Sequence, residues 1–273
     1  MVKTTSRSST ARYDANYGNF RKDLYTEIRR EAFGEDIGQN SWLTSDEQDK
    51  FLEWLNLKPG GILLDVACGA GGPALRIAAA TGCSVVGVDT HDQAIETARS
   101  LASQGGFSER AEFQALDASG RLPFSDANFD TIMCIDAINH FPDRPRVIAD
   151  WARLLKLGGR LLFTDPVTVT GALTSPEIEV RSLGGLYLFV PHGYDARIIA
   201  QCGLCLLACE DITANMAKVA EARRTARALR SAALCEIEGQ SEYENQQEFL
   251  AVAARVAREG RLSRFLYVAK KPG

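Results

Sequence analysis

Long hydrophobic runs are missing from this sequence. No apolar stretch reaches the ~18–20 residues that cross a bilayer, so no membrane span is expected. An excess of positive charge is missing as well. Thirty-one Lys and Arg against 35 Asp and Glu leave a net charge of -4. Coating nucleic acid needs a basic face, so no nucleic-acid partner is expected. The second half of a zinc site is also missing: Cys202 and Cys205 form a lone C-x-x-C. The seven cysteines are odd in number and sit mostly in apolar runs, as buried thiols of a reducing, cytoplasmic protein do. No metal site is expected. The opening "MVKTTSRSSTARYD" lacks the apolar segment of a secretory signal. It reads as a disordered leader, although its Ser, Thr and Arg content also suits a transit peptide. Histidine is scarce. His91, His140 and His192 are the three in the chain, which narrows the search for a proton acceptor.

What is present is a rhythm. Of the 273 residues, 45% are hydrophobic, enough for a sizeable core. The first 57 residues read as a polar-rich helical segment, with Phe20, Leu24, Ile28 and Ala32 as an apolar stripe. Ser45 and Gln48 have the spacing of a capping box ahead of "KFLEWLNL". Pro59-Gly60-Gly61 ends that helix. Short apolar runs follow: "GILLDVA", "SVVGVD", "AEFQALD", "FDTIMCID" and "RLLFTDP". Helical stretches at 72–81, 92–103 and 143–157 separate them, with a loop at 118–128. Strands alternating with helices indicate an α/β fold, a parallel sheet covered on both faces. Beyond Pro166 come a loop and two helices over 167–203, then "LCLLACEDIT", which reads as a core strand. Residues 214–258 read as helical, and "RLSRFLYVAKK" as a final strand.

The turn after the first strand carries Gly69, Gly71 and Ala74, a G-x-G-x-x-[GA] pattern. Asp89 follows 20 residues after Gly69. That alone fits a dinucleotide fingerprint, so a nicotinamide-dependent oxidoreductase is one reading. Asp65 opposes it. It stands four residues before Gly69, where a carboxylate would repel a pyrophosphate and attract a cation instead.

Five segments in order carry a more specific signal: "LLDVACGAGG", "VVGVD", "QALDASGRLPF", "FDTIMCIDAINHF" and "LLKLGGRLLFTD". Together they resemble the motifs of the class I S-adenosylmethionine-dependent methyltransferases. Within that family the sequence looks like bacterial enzymes acting on small molecules, similar to the ubiquinone/menaquinone and sarcosine/dimethylglycine methyltransferases. The likeness covers about residues 55–170 well and continues loosely to the last strand. It implies a Rossmann-like seven-stranded sheet of order 3-2-1-4-5-7-6 with the last strand antiparallel. Residues 1–57 would form a lid, and 58–273 the core, with cap segments at about 167–203 and 214–258. A non-catalytic regulator that binds the cofactor is the remaining alternative.

The resemblance implies S-adenosylmethionine as cofactor, S-adenosylhomocysteine as product and a small-molecule acceptor; a homodimer is compatible with it. The expected cofactor residues are Asp65, Ala67, Gly69, Gly71, Asp89, Thr90, Asp117, Ala118 and Asp136. Gly69 and Gly71 would let the backbone approach the ligand. Asp89 would accept the ribose hydroxyls, and Asp117 and Ala118 would meet the adenine edge. Asp65 would serve the amino-acid end, and Asp136 the methionine part or the acceptor. Tyr13, Tyr17, Gln39, Ser41 and Trp42 are expected in the lid, aromatic faces being attractive to a sulfonium. Asn139 and His192 are candidate acceptor contacts. His140 is the candidate general base, because it follows the fourth strand at the ligand-binding edge of the sheet. Lys218, Arg223, Arg224, Arg227 and Arg230 read as a solvated face, opposite a stripe of Val219, Ala222, Ala226, Leu229 and Ala233. Phe249, Val252 and Val256 are expected to face inward. The acceptor atom stays open among O, N, C and S.

Overall fold

The computed structural model describes residues 17–273. Tyr13 lies outside them. Helices α1 (Asp23–Phe33) and α2 (Ser45–Leu55) lie ahead of the sheet. The alternating part runs β1 (Ile62–Val66), α3 (Gly72–Thr81), β2 (Ser84–Asp89), α4 (Asp92–Gln104), β3 (Ala111–Ala115), β4 (Phe129–Cys134), α5 (Arg144–Leu154) and β5 (Leu155–Val169). There follow α6 (Ser175–Ser182), β6 (Val190–Pro191), α7 (Tyr194–Gln201) and β7 (Cys205–Asp211). Three cap helices, α8 (Thr213–Ala228), α9 (Ser231–Glu238) and α10 (Gln240–Arg258), lead to β8 (Leu262–Lys270).

The sheet order is β3-β2-β1-β4-β5-β8-β7, with β6 as a short parallel extra on β5. Strands β1 to β5 are parallel, and β8 runs antiparallel between β5 and β7. This is the seven-strand order implied by the resemblance, with one two-residue strand added. Consecutive residues go to opposite faces, as the period of two requires. Leu64, Ile132 and Leu161 join Trp151 and Phe163 in one core. Leu63, Met133 and Leu162 join Phe51, Phe113 and Leu266 in the other. A third cluster, including Phe33, Trp42, Met216, Phe249 and Leu250, binds the lid to the cap.

Four local expectations fail for identifiable reasons. The cap of α2 is Thr44, whose hydroxyl accepts the Glu47 N–H at 3.3 Å, rather than a Ser45–Gln48 pair. The Glu47 carboxylate is drawn away to Arg264, and the Gln48 amide donates to the Pro73 carbonyl. Helix α5 stops at Leu154, and Leu157 stands 71% exposed in the Gly-Gly turn. Strand β7 is apolar but not core. It lies at the sheet edge, with Leu206 and Leu207 at 40% and 43% exposure. The basic face of α8 is not simply solvated: Arg227 is buried against Glu238, whereas Leu229 is exposed.

Candidate active site

The carboxyl ends of the parallel strands open on one cavity of about 530 Å3. Its floor begins after β1, where Ala67 (φ 57°), Gly69 (φ 54°) and Gly71 (φ 75°) are all left-handed. That conformation strains a non-glycine residue, and such strain gathers at functional sites. The turn is stitched to β2. The Cys68 N–H donates to the Val88 carbonyl at 3.0 Å, and the Gly69 N–H to one Asp89 oxygen at 2.9 Å. The His91 N–H donates to the other Asp89 oxygen at 3.0 Å. Asp89 is therefore buried and fixed, with a lone pair on each oxygen able to accept another donor.

Asp65 lines the same cavity at 4% exposure. No hydrogen bond to its carboxylate forms among the described residues. Burial, with the charge of Asp89 added, holds its carboxyl well above the usual range. A buried acid in this state favours a cationic partner, which would restore the ionised form.

The glycines divide the work differently from what the sequence suggested. Gly69 is on the cavity wall, and a Cβ there would lie 2.7 Å from the Tyr17 hydroxyl. Gly71 is not on the wall. A Cβ there would meet the Phe113 ring at 2.8 Å, so its role is to seat α3 against β3. Gly72 was not singled out from the sequence. Its missing side chain lets the lid loop rest on α3, because a Cβ would strike the Ile37 carbonyl.

The remaining walls come from loops. Thr90, Asp117 and Ala118 lie at one end with Leu116 and Ser119. The Asp117 carboxylate accepts the Ser119 N–H at 2.8 Å and is otherwise exposed. Tyr17 and Gly38 to Ser41 form the roof. Tyr17 is buried and bonded to Asn40, another contributor that sequence reasoning missed. The Gln39 side chain folds back on its own loop, accepting from the Ile37 N–H and donating to the Glu35 carbonyl. Ser41 lines the cavity and accepts the Leu43 N–H.

Asp136 (φ 54°) also lines it, but its carboxylate is already engaged. It accepts from the Trp42 N–H at 2.8 Å, the Thr164 hydroxyl at 2.7 Å and Arg264 Nε at 2.6 Å. Arg264, on β8, also reaches Glu47 on α2 at 2.6 Å. This buried triad joins the lid, the turn after β4 and the last strand. Its members are 217 residues apart at the extreme, beyond any motif.

Trp42 does not face the large cavity. It stacks on Phe249 with centroids 6.4 Å apart and lines a second cavity of about 90 Å3, with Asn139. His140, in the 3-10 turn Ile138–His140, lines the large cavity edge-on to Tyr187 at 5.0 Å. Burial, helped by His91, lowers its pKa to about 4, so the imidazole is neutral at ordinary pH. His192 is exposed, lies tilted against Phe265 with centroids 4.7 Å apart and lines neither cavity.

Residues 57–183 match the family described as a methyltransferase domain. The 27-O-demethylrifamycin SV methyltransferase of Amycolatopsis mediterranei (strain S699) is 31% identical over 173 residues. That match covers 59% of this chain and 63% of the relative, so the chain spans under two thirds of that protein's length. A candidate sarcosine dimethylglycine methyltransferase from Galdieria sulphuraria superposes with a TM-score of 0.81 at 20% identity, over 95% of this chain and 98% of that one. A phosphoethanolamine N-methyltransferase 2 of Haemonchus contortus, complexed with phosphomonomethylethanolamine and S-adenosylhomocysteine, gives 0.80 at 21% identity, over 96% and 60%. At such identities the two structures speak for the fold. Motif order, fold and family match agree: residues 57–183 are similar to a methyltransferase domain, on the fold of the class I S-adenosylmethionine-dependent methyltransferases. The cofactor of that class is S-adenosylmethionine and its product S-adenosylhomocysteine.

Proposed function

We propose that this protein transfers a methyl group from S-adenosylmethionine to a small-molecule acceptor enclosed between the lid and the cap. The observation that carries this reading is the pair of acids on the cavity floor. Asp89, held by the Gly69 and His91 N–H groups, can accept two hydroxyls. Asp65, buried and without a hydrogen bond among the described residues, suits a positively charged ligand. A dinucleotide would place its pyrophosphate beside that same acid. Asp117 and Ala118, which line one end of the cavity, would meet the adenine edge in this reading, and Tyr17 with Asn40 would cover the site.

The cofactor supplies an electrophilic methyl on a cationic sulfur. The protein's task is to align the acceptor with that methyl and exclude water, and positioning of this kind supplies roughly 7–11 kcal/mol. His140, neutral and on the cavity wall, is the residue placed to orient the acceptor or take its proton. Enclosure favours a small acceptor over a macromolecule, in keeping with the rifamycin and phosphobase names of the relatives. Seven unpaired cysteines suit a reducing, cytoplasmic setting.

Isothermal calorimetry tests the reading. S-adenosylhomocysteine should bind, and NADH and NADPH should not. The reverse result would overturn it. Release of S-adenosylhomocysteine from S-adenosylmethionine in the presence of an acceptor separates an enzyme from a regulator.

A further inference from the structure

The second cavity lies where the lid loop, the turn after β4, α6 and the cap meet. It shares Asn40, Ser41 and Asp136 with the large cavity. Arg181 of α6 lines it at 1% exposure. No carboxylate pairs with this guanidinium among the described residues, and its Nε and Nη1 have no hydrogen-bond partner. Aromatic faces lie near instead, Phe249 at 4.5 Å and Trp42 at 5.9 Å. Burial lowers the Arg181 pKa to about 10, so the charge persists at neutral pH. Asn139 lines the same space at 1% exposure, and neither atom of its amide has a partner among the described residues. Asp136 is the one acid among the lining residues, and it is already bound to Arg264.

A buried, uncompensated cation costs several kcal/mol. Each unpaired buried polar group adds about 1–3 kcal/mol. Two such defects on one small cavity call for a ligand that removes both.

We propose that this cavity is the anchoring half of the acceptor site and binds an oxyanion headgroup, a carboxylate or a phosphate, on Arg181 and Asn139. The guanidinium offers parallel N–H groups to two oxygens. The Asn139 amide nitrogen offers another donor, and its oxygen accepts from a hydroxyl or amine beside the oxyanion. The volume of about 90 Å3 is less than a fifth of the 530 Å3 of the large cavity. It holds a headgroup and not a whole acceptor. The rest of the molecule extends past Asn40, Ser41 and Asp136 into the large cavity, where its nucleophilic atom meets the methyl. This assignment rests on the methyltransferase reading for the direction of the acceptor, but the anion site itself can be tested alone.

The test titrates glycolate and, separately, inorganic phosphate into the full chain, with and without saturating S-adenosylhomocysteine, following heat and Tm. One of the two anions should bind and raise Tm. Binding should weaken at least tenfold in Arg181→Met, which keeps the volume, and in Asn139→Asp, which puts a negative charge in the cavity. Affinity for S-adenosylhomocysteine should stay within about twofold in both. Arg181→Met should melt no lower than the wild type, since it removes an uncompensated charge. A merely structural arginine would give a lower Tm and no change in anion response. The preferred anion tells carboxylate acceptors from phosphate esters. The proposal is overturned if neither anion binds the wild type, or if both variants respond as the wild type does. Should Arg181→Met fail to fold, the Asn139→Asp titration decides. Failure of the wild type to bind S-adenosylhomocysteine would instead sink the methyltransferase reading, and the titration without it would still decide the anion site.

Discussion

The floor of the large cavity and the wall of the small one are built in opposite ways. The floor comes from nearby segments, and its key acid is satisfied by backbone: Asp89 takes N–H groups from Gly69 and His91. The small cavity draws Asn139, Arg181 and Phe249 from separate parts of the chain. It leaves charged and amide groups unsatisfied. A floor set by backbone geometry can serve one constant ligand. A wall made of side chains can be altered residue by residue, so it is where acceptor choice would be written. The Arg264–Asp136–Glu47 triad is the seam between the two.

Cutting that seam should give the largest effect. Arg264→Met leaves the Asp136 and Glu47 carboxylates buried without their cation. Breaking a buried pair from one side costs about 3–5 kcal/mol. Chemical denaturation should show a loss of that size, with the lid more readily proteolysed. A loss under about 1 kcal/mol would mean that apolar packing and the remaining hydrogen bonds, such as Trp42 N–H to Asp136, hold the lid without the triad.

Attacking the floor comes next. Asp89→Ala should weaken S-adenosylhomocysteine binding about 100-fold, near 3 kcal/mol, while anion binding at Arg181 persists. Calorimetry on both ligands checks this. A parallel fall in the two affinities would abolish the distinction between the regions.

The smallest effect concerns acid. His140 is held neutral, with its pKa near 4, against about 6.5 in an unfolded chain. Between those values the unfolded state binds a proton that the folded state refuses. Stability therefore falls as pH drops from 7 towards 5, by about 2 kcal/mol from this residue. His140→Gln should flatten that part of the pH–stability curve. If His140 takes the acceptor's proton, the acid limb of the free enzyme's kcat/KM should centre near pH 4. A limb near 6.5 would show that the histidine is hydrated rather than buried.

The same contrast explains what could be read in advance. Leu63 beside Leu64 and Met133 beside Ile132 announce strands buried on both faces, and they are. That Asp65, Gly69 and Asp89 share one cavity floor was legible because they sit in short neighbouring segments whose local geometry brings them together. Gly71 shows the limit: its spacing was right, but its reason is the Phe113 ring on another strand. Arg181 and Arg264 look like ordinary surface arginines in the sequence, since only the tertiary fold buries them. "LCLLACEDIT" misled because apolar content does not say whether a strand lies in the middle of a sheet or at its edge. Ser45 with Gln48 misled likewise, because the Gln48 amide is drawn to the distant Pro73 carbonyl and Thr44 takes the cap.

The position of β8 has a consequence for how the chain acquires its structure. It is the last strand in order, yet it fills the slot between β5 and β7. Until it arrives, β5 presents an unpaired edge, and Arg264 is not there to neutralise Asp136. Pairing at such sequence distance is slow, because loop closure precedes the reward of contact. Open strand edges in the interval invite association with other chains. The half built from β1 to β4 can thus assemble early, while lid and cap wait for the final strand. Refolding should show cofactor-independent sheet formation first and competence to bind S-adenosylhomocysteine afterwards, in step with the burial of Arg264.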